Sequence, residues 1–391
     1  MEPSSPLTGV SCTDCGRETT TEEWTARCPD CRGIYAVSYD RDELQASFGR
    51  FDGLARFAPV LPIAASALIT MDEGTTPLVE CPSLAEDFDV GSVYVKDEGA
   101  NPTGSLADRG VGLAVSAAAR QGAEAIALPS TGPDGQAAAA YGARAGLDVE
   151  VFVPSRSTFD AKAMINVHGG EMSVVGGRYG DAVDAFDAER DDALSLAPFA
   201  TPYRVEGTKT LAYEICEQLD WDAPDAVVHP TGHGESLVGI ETGFSELSAA
   251  GHTATVPQLV AAQPTGCSPF VDALEGSEDA PVPCEQPDTI CGPLEVPTPD
   301  PAGGGLALDA LAATEGTAAA TSDDDALELA VRTAQEDGVE LSATGGVAAS
   351  VARDLAHDGT YGPDDTVVVV NPIAGEKEAD VLRSHLMRQG I

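Results

Sequence analysis

Short apolar runs, many of them β-branched, alternate along this chain with alanine-rich amphipathic stretches, and Gly, Pro, Asn and Asp punctuate the joins. A strand over 93–95 runs into a turn made of Asn101-Pro102 and Gly104. Ser105 then offers an N-cap, and the alanine-rich segment after Gly110 predicts a helix to about Gly122. Strands at 125–128 and 149–153 flank a helix that the stretch 129–136 opens and that stops near Gly146. A further amphipathic helix ends near Leu219, and strands follow at 226–229, 259–262 and 366–370. Ser322 caps a helix whose first turn, Asp323-Asp324-Asp325, suits the helix dipole. Strand and helix in regular succession predict an α/β protein with doubly wound parallel sheets. Rising Pro, Gly and Ala content between Glu295 and Thr321 predicts a surface loop, and residues 40–75 read as a connector with some helical content.

At 391 residues and 43% hydrophobic content, the chain exceeds one ordinary domain and has ample material for a core. It holds no run of about 18 apolar residues, and Met1-Glu2-Pro3-Ser4-Ser5 lacks a charged-then-apolar leader pattern. A cytoplasmic protein without a membrane partner is expected. Acidic residues number 64 against 21 basic ones, a formal charge of −43, and the only lysines are Lys96, Lys162, Lys209 and Lys377. Such a charge repels itself in dilute buffer, whereas molar salt shortens the Debye length to about 3 Å. Abundant Ala and Asp, few lysines and 5% aromatics give the composition of a salt-in halophile. Disorder is the other reading of so acidic a chain, and the regular apolar segments oppose it. No basic face is available to neutralise phosphates, so nucleic acid is not expected as a partner.

Residues 12–31 read Cys12-x2-Cys15-x12-Cys28-x2-Cys31, two knuckles able to place four thiolates around one tetrahedral ion, which points to a structural zinc site. Two disulfides are the alternative, disfavoured in a reducing compartment. A ribbon this small buries little apolar surface, so metal binding would supply much of its folding energy. The acids Asp14, Glu22, Glu23 and Asp30 around it oppose a nucleic-acid-binding ribbon.

The stretch from Val95 to Gly110, Val-Lys-Asp-Glu-Gly-Ala-Asn-Pro-Thr-Gly-Ser-Leu-Ala-Asp-Arg-Gly, lays out strand, tight loop and helix start as for a small-molecule site. It resembles the signature of threonine synthases and their relatives, the fold type II pyridoxal-phosphate enzymes. In that signature Asn-Pro-Thr-Gly-Ser-Phe-Lys-Asp-Arg-Gly carries the lysine that forms the Schiff base with the cofactor. Further stretches are similar to the same family: Glu73-Gly74-Thr75-Thr76-Pro77-Leu78, Pro202-Tyr203-Arg204-Val205-Glu206-Gly207-Thr208-Lys209-Thr210, Gln263-Pro264-Thr265-Gly266-Cys267-Ser268-Pro269, and the loop 341–346. Some relatives also resemble this chain in carrying a four-cysteine knuckle before the catalytic body. The resemblance implies a tryptophan synthase β-like fold. A zinc ribbon over 1–45 would precede a large domain made of 46–110 and 205–391, with a small α/β domain over 111–204.

Four positions depart from the family pattern together. The Schiff-base position is Ala107, whose methyl group can neither form an imine nor carry a proton. Ser130-Thr131-Gly132-Pro133 aligns with Ser-Thr-Gly-Asn, whose asparagine bonds the pyridoxal hydroxyl. Pro133 has neither a side-chain amide nor an N–H, and the Asp134 carboxylate would repel a phenolate-like oxygen. Thr231-Gly232-His233-Gly234-Glu235-Ser236 aligns with the phosphate-cradling loop. Gly232 and Gly234 keep the turn and Ser236 can donate, but Glu235 sets a like charge against phosphate, roughly 1 to 4 kcal/mol at about 4 Å. An ordinary strand-to-helix turn with an acidic first residue is the alternative there. Asn371 stands where a threonine faces the pyridine nitrogen, and its amide retains a hydrogen bond to offer.

The joint change predicts a pseudoenzyme of the threonine synthase family, with pyridoxal phosphate doubtful and zinc structural, acting as a binding or regulatory subunit. Family resemblance implies a homodimer or a heterodimer with an active relative. The alternative is a working lyase that converts O-phosphohomoserine to threonine with a relocated lysine. Lys96 is the candidate by sequence, and its other reading is an ion-pairing residue among Asp97 and Glu98. A third reading keeps the cleft as a sensor of an amino acid or phospho-amino acid through Ser105, Arg109, Ser130 and Thr131. Lys209 is expected to pair with a carboxylate near its helix start, and His168 to be a packed or surface residue. Cys81, Cys216, Cys267, Cys284 and Cys291 read as small buried hydrophobes.

Overall fold

The computed structural model describes residues 7–20, 26–39, 53–190 and 193–390. The chain opens with three short antiparallel strands, β1 (Leu7–Cys12), β2 (Glu18–Thr19) and β3 (Tyr35–Tyr39), in the order β2-β1-β3. From Gly53 to Ala67 it forms two 3-10 segments, and the predicted connector from 40 to 52 lies outside the described residues. Next come β4 (Leu78–Glu80), α1 (Pro82–Phe88), β5 (Ser92–Asp97), α2 (Ala107–Arg120), β6 (Ala125–Pro129), α3 (Pro133–Ala145) and β7 (Asp148–Pro154). They are followed by α4 (Phe159–Val167), β8 (Glu171–Val175), α5 (Tyr179–Glu189), β9 (Leu194–Ser195), α6 (Pro202–Thr208), α7 (Thr210–Gln218), β10 (Ala226–Pro230) and α8 (Glu235–Ala249). The last part is β11 (Gln258–Pro264), α9 (Pro269–Gly276), α10 (Pro301–Ala313), β12 (Thr317–Thr321), α11 (Asp323–Glu336), α12 (Ala343–His357), β13 (Thr366–Asn371) and α13 (Ala379–Gln389). Among the described residues no helix is long and apolar enough to cross a membrane.

Two compact units emerge. The first joins the described residues up to Thr75 with Ala107–Tyr213 and Val238–Thr253, and the second joins Thr76–Leu106, Glu214–Leu237 and the chain from Ala254 onward. The first unit holds the ribbon and a parallel sheet ordered β8-β7-β6-β9. Ala127, Phe152, Ala182 and Phe186 pack against one face of that sheet, the two rings edge to face at 5.7 Å. The second unit holds a sheet ordered β12-β11-β10-β13-β5-β4, parallel except for β4. Its central strands are near-continuous apolar runs buried on both faces, and on one face Val93, Val95, Val228, Val260, Val367 and Val369 meet α1, α11 and α12 in one core. Ligands of such sheets sit outside the carboxyl ends of the strands, where the signature loop 98–106 and the loop 371–378 lie.

Two expectations need correction. The stretch from Glu295 to Thr321 is not a loop. Asp300 accepts from the Gly303 amide as N-cap, Pro301 fills the first helical position, and α10 runs to Ala313 before β12 adds an edge strand. Small residues there serve close packing: a Cβ on Gly304 would lie 2.2 Å from Pro281. The helix after the signature begins at Ala107, and Ser105 instead bridges to Ile373.

Candidate functional site

The four cysteines of the ribbon stand close enough together to hold a metal ion. The Cys12, Cys15, Cys28 and Cys31 sulfurs all lie within 4.8 Å of one another, with 3.4 Å between Cys12 and Cys31 and 3.7 Å between Cys15 and Cys28. Four zinc–sulfur bonds of about 2.3 Å in a tetrahedron separate sulfurs by about 3.8 Å, so the donor set fits zinc. Each knuckle is a tight turn: Gly16 N–H reaches Cys12 O, Arg32 N–H reaches Cys28 O, and Gly16 and Arg32 both take φ 70°. Burial opposes the Cys28 thiolate, but the Asp30 and Cys31 amides outweigh it and bring Cys28 down to about 6. Gly33's amide favours the Cys31 thiolate, yet hydrogen bonding of its thiol to the Cys12 and Cys15 sulfurs pushes Cys31 up to about 12. Of the remaining cysteines, Cys81, Cys216, Cys267 and Cys291 are buried as expected, and Cys284 is partly exposed.

In the second unit, β5 carries Lys96 into the interior. Its ammonium bonds Glu214 at 3.0 Å, Gln218 Oε1 at 2.8 Å and the Thr76 carbonyl at 2.7 Å, with no side-chain exposure on either member of the ion pair. Glu214, supplied by α7 from far along the chain, is thus a charged partner of Lys96. Glu98 accepts from Thr76 Oγ1 at 2.6 Å and Asn101 Nδ2 at 2.7 Å, which fastens the start of the signature loop. Asn371, at the exit of β13, is spent inside the fold. Its oxygen accepts from the Ser342 amide at 3.1 Å and hydroxyl at 3.0 Å, while its nitrogen donates to Asp97 at 2.9 Å and to the Glu340 carbonyl at 3.3 Å. Burial raises the Asp97 carboxyl against the Asn371 and Gly99 hydrogen bonds that favour its charge.

The glycine loop leaves β10 with Thr231, whose amide bonds Ala262 O and whose hydroxyl donates to His229 O. Gly234 takes φ 87°, and a Cβ there would lie 2.6 Å from Ala307 and 2.8 Å from Phe270, so only glycine lets the loop lie against α9 and α10. A Cβ on Gly232 would press on Val296 at 3.1 Å. His233 and Ser236 are half-buried, and Glu235 is buried at the first position of α8. Two residues here escaped the sequence reading. Lys377 lays its side chain on the signature loop, its Cε 2.8 Å from where a Gly104 Cβ would stand, because Ala374 N–H bonds Gly104 O and Leu106 N–H bonds Pro372 O. His229 is buried, its Nε2 has no hydrogen-bond partner, and burial brings it down to about 4 despite nearby Glu98. No local sequence signal marks Lys377, since only strand pairing brings 377 to 104. The lone histidine in the apolar run 226–229 was the available sign for His229.

In the first unit, the Ser130 hydroxyl accepts the Gly132 and Gly135 amides at 2.9 and 3.0 Å, a turn that starts α3 with Pro133 in its first position. Thr131 is half-buried on that turn. Asp134 is held by Arg204, Nη2 to Oδ2 at 2.6 Å, so its carboxylate is a partner of α6. Arg109 is fully buried and donates to Thr210 Oγ1 at 3.0 Å, and Ser105, in the second unit, is 1% exposed. Arg109 and Ser130 therefore act first as internal fasteners, since burial and hydrogen bonding already use the groups expected for a ligand. Lys209 pairs as expected, with Glu206 at 2.7 Å and with Glu246 at 3.1 Å.

Comparison with known proteins bears on this arrangement. Residues 69–372 match the family described as pyridoxal-phosphate dependent enzyme. A threonine synthase of Methanosarcina acetivorans is 31% identical over 92% of this chain and 90% of its own, and one of Methanocaldococcus jannaschii is 30% identical over 94% and 93%. This chain belongs to the threonine synthase family. Its fold is that of the fold type II pyridoxal-phosphate enzymes. A fungal L-serine ammonia-lyase from Rhizomucor miehei superimposes with a TM-score of 0.69 at 22% identity, covering 81% of this chain and 98% of that one. Threonine deaminase isoform 2 from Solanum lycopersicum gives 0.66 at 18%, covering 79% and 87%. The threonine synthase family implies pyridoxal phosphate, and the side chains present do not fit it. No amine stands at Ala107, no side-chain donor at Pro133, and every polar atom of the Asn371 amide is already bonded to protein.

Proposed function

We propose that this member of the threonine synthase family is a pseudoenzyme, a binding or regulatory subunit that keeps the fold and has given up the family's cofactor chemistry. The observation that carries the reading is the occupied amide of Asn371, taken together with the absence of a lysine at position 107. A laboratory loss of the lysine would leave the other contacts free. Here the neighbouring positions have been rebuilt into internal hydrogen bonds, and a donor already paired in the interior has nothing further to offer a pyridine nitrogen. The alternative, a lyase using Lys96, lacks support because three acceptors satisfy all three hydrogens of that ammonium. The relatives are named for making threonine, so an amino acid or phospho-amino acid is the ligand class to expect, in a cytoplasmic, salt-adapted dimer formed with itself or with an active relative.

An absorbance titration of the full chain with pyridoxal phosphate in molar potassium chloride tests this, followed by borohydride reduction and peptide mapping. The expected result is no saturable shift of the cofactor's absorbance and no specific adduct. A saturable adduct on one lysine overturns the reading, and Lys377 is the lysine whose position against Gly104 makes that outcome informative. Thermal melts with threonine, homoserine and O-phosphohomoserine test the ligand half: saturable stabilisation supports it, and flat curves remove it.

A further inference from the structure

We infer that Tyr39 is a latch through which the metal state of the ribbon sets the order of α6 and of the Ser130–Gln136 turn. The four-cysteine site sits at one end of a two-strand ladder. Cys12 pairs with Tyr35, the first residue of β3, and the same strand ends four residues on at Tyr39, about 14 Å away at about 3.4 Å per residue. Among the described residues the ribbon's buried apolar side chains besides the cysteines are Val10, Ile34 and Tyr35, too few to fold it, so strand β3 keeps its shape when the thiolates are joined by a metal.

Tyr39 is where that strand enters the body of the first unit. Its hydroxyl donates to Glu206 of α6, and the Lys209 ammonium lies 4.2 Å over its ring. Lys209 is shared between Glu206 and Glu246 of α8, and Tyr213 donates to Glu246 from the other side. One ammonium thus stands between two enclosed carboxylates, and two phenols supply the remaining hydrogen bonds. Burial and the neighbouring carboxylates raise both phenols, so each keeps its proton and acts as a donor. Take Tyr39 away, and Glu206 loses a donor inside an enclosed cluster where burial already raises its carboxyl.

The strain passes along a single short helix. Glu206 and Arg204 both belong to α6, and Arg204 holds Asp134 at 2.6 Å while its other nitrogen donates to the Leu196 carbonyl at 3.2 Å. Asp134 lies in the first turn of α3, directly after the Ser130 hydroxyl that gathers the Gly132 and Gly135 amides. From thiolates to turn, every link is a contact within one compact unit. The latch holds whether or not the cleft turns anything over, so it stands apart from the reading of this chain as a pseudoenzyme.

Hydrogen-exchange mass spectrometry on the full chain tests it, in molar potassium chloride with a thiol reductant, comparing zinc-loaded protein, chelator-stripped protein and zinc-loaded Tyr39→Phe. Stripping is expected to speed exchange about tenfold in peptides covering 202–213 and 130–136, in line with a lost charge-assisted hydrogen bond, while β13 in the second unit is unchanged. Tyr39→Phe should bind one zinc per chain, keep its ribbon peptides protected, and show the same acceleration at 202–213. If stripping speeds exchange in the ribbon alone, or if zinc-loaded Tyr39→Phe exchanges like the parent at 202–213, the latch does not exist. The variant decides the matter even where stripped protein aggregates.

Discussion

Lys96 meets three acceptors with its three ammonium hydrogens, and neither it nor Glu214 has side-chain exposure. Removing one member of such a pair leaves a buried charge uncompensated, which costs about 3 to 5 kcal/mol, whereas replacing both by apolar groups is close to neutral. Lys96→Met is therefore expected to lower unfolding free energy in urea by that amount, and Lys96→Met with Glu214→Leu to recover most of it. A single variant as stable as the parent would show that the pair is not closed to water. His229 gives a pH dependence of definite sign. Its folded pKa, lowered from 6.5 to about 4 by burial, means that the unfolded chain binds the proton more readily. The stabilisation is complete above pH 6.5 and is lost as pH falls towards 4, roughly 3 kcal/mol in all. His229→Leu should lose less stability than the parent over that interval, and parallel acid limbs would contradict the assignment. At position 107 the expectation is negative: Ala107→Lys alone should show no saturable absorbance shift with pyridoxal phosphate, because Pro133 and the spent Asn371 amide remain. A strong shift in that single variant would mean that those contacts are dispensable.

Helices α2, α6 and α8 meet along a seam of glycines, of which Gly110 and Gly207 also belong to the recognisable motifs. A Cβ on Gly207 would lie 2.1 Å from the Arg109 carbonyl oxygen, one on Gly110 2.8 Å from Arg204 O, and one on Gly243 2.4 Å from Lys209 O. These obstacles are backbone, so the helices would have to separate. Gly207→Ala is expected to cost about 3 kcal/mol in urea unfolding. Gly180→Ala in α5, where nothing lies within 4 Å, should cost nothing or stabilise slightly through the unfolded chain. Equal effects at both sites would remove the seam as their cause. The seam also explains what the sequence could tell. Glycines and charges of the signature read clearly because backbone turns, helix contacts and ion pairs each demand one residue type, and β-branched runs such as 366–370 announce buried strands. The run 295–321 misled because Pro, Gly and Ala at a capped helix start and at a close helix contact have the same composition as a loop. Glu214 as the partner of Lys96, Arg204 as the partner of Asp134 and Lys377 against Gly104 are long-range pairings. No local pattern encodes them, so the candidate site was legible in its losses and not in what had replaced them.

At the scale of the whole molecule the net charge predicts how stability should depend on salt. Among the described residues the interior holds the bases Lys96, Arg109, Arg204 and Lys209 and twice as many acids, a small part of the surplus behind the net −43, so most of that surplus lies outside it. Exposed carboxylates repel over roughly 10 Å in 0.1 M salt and over about 3 Å in 1 M, whereas the enclosed Lys96–Glu214 pair has no mobile ions around it to screen it. Two consequences follow from this difference. The melting temperature of the parent should climb with potassium chloride and flatten once the Debye length falls below the spacing of surface acids, near molar salt. Lys96→Met should melt lower at every salt concentration with the same slope, because the charge it leaves is out of reach of the salt. A flat melting curve in potassium chloride would mean that the acidic surface is not what limits stability. A slope that steepens in Lys96→Met would mean that salt reaches the pair, and that the interior of the second unit opens to water well below its melting point.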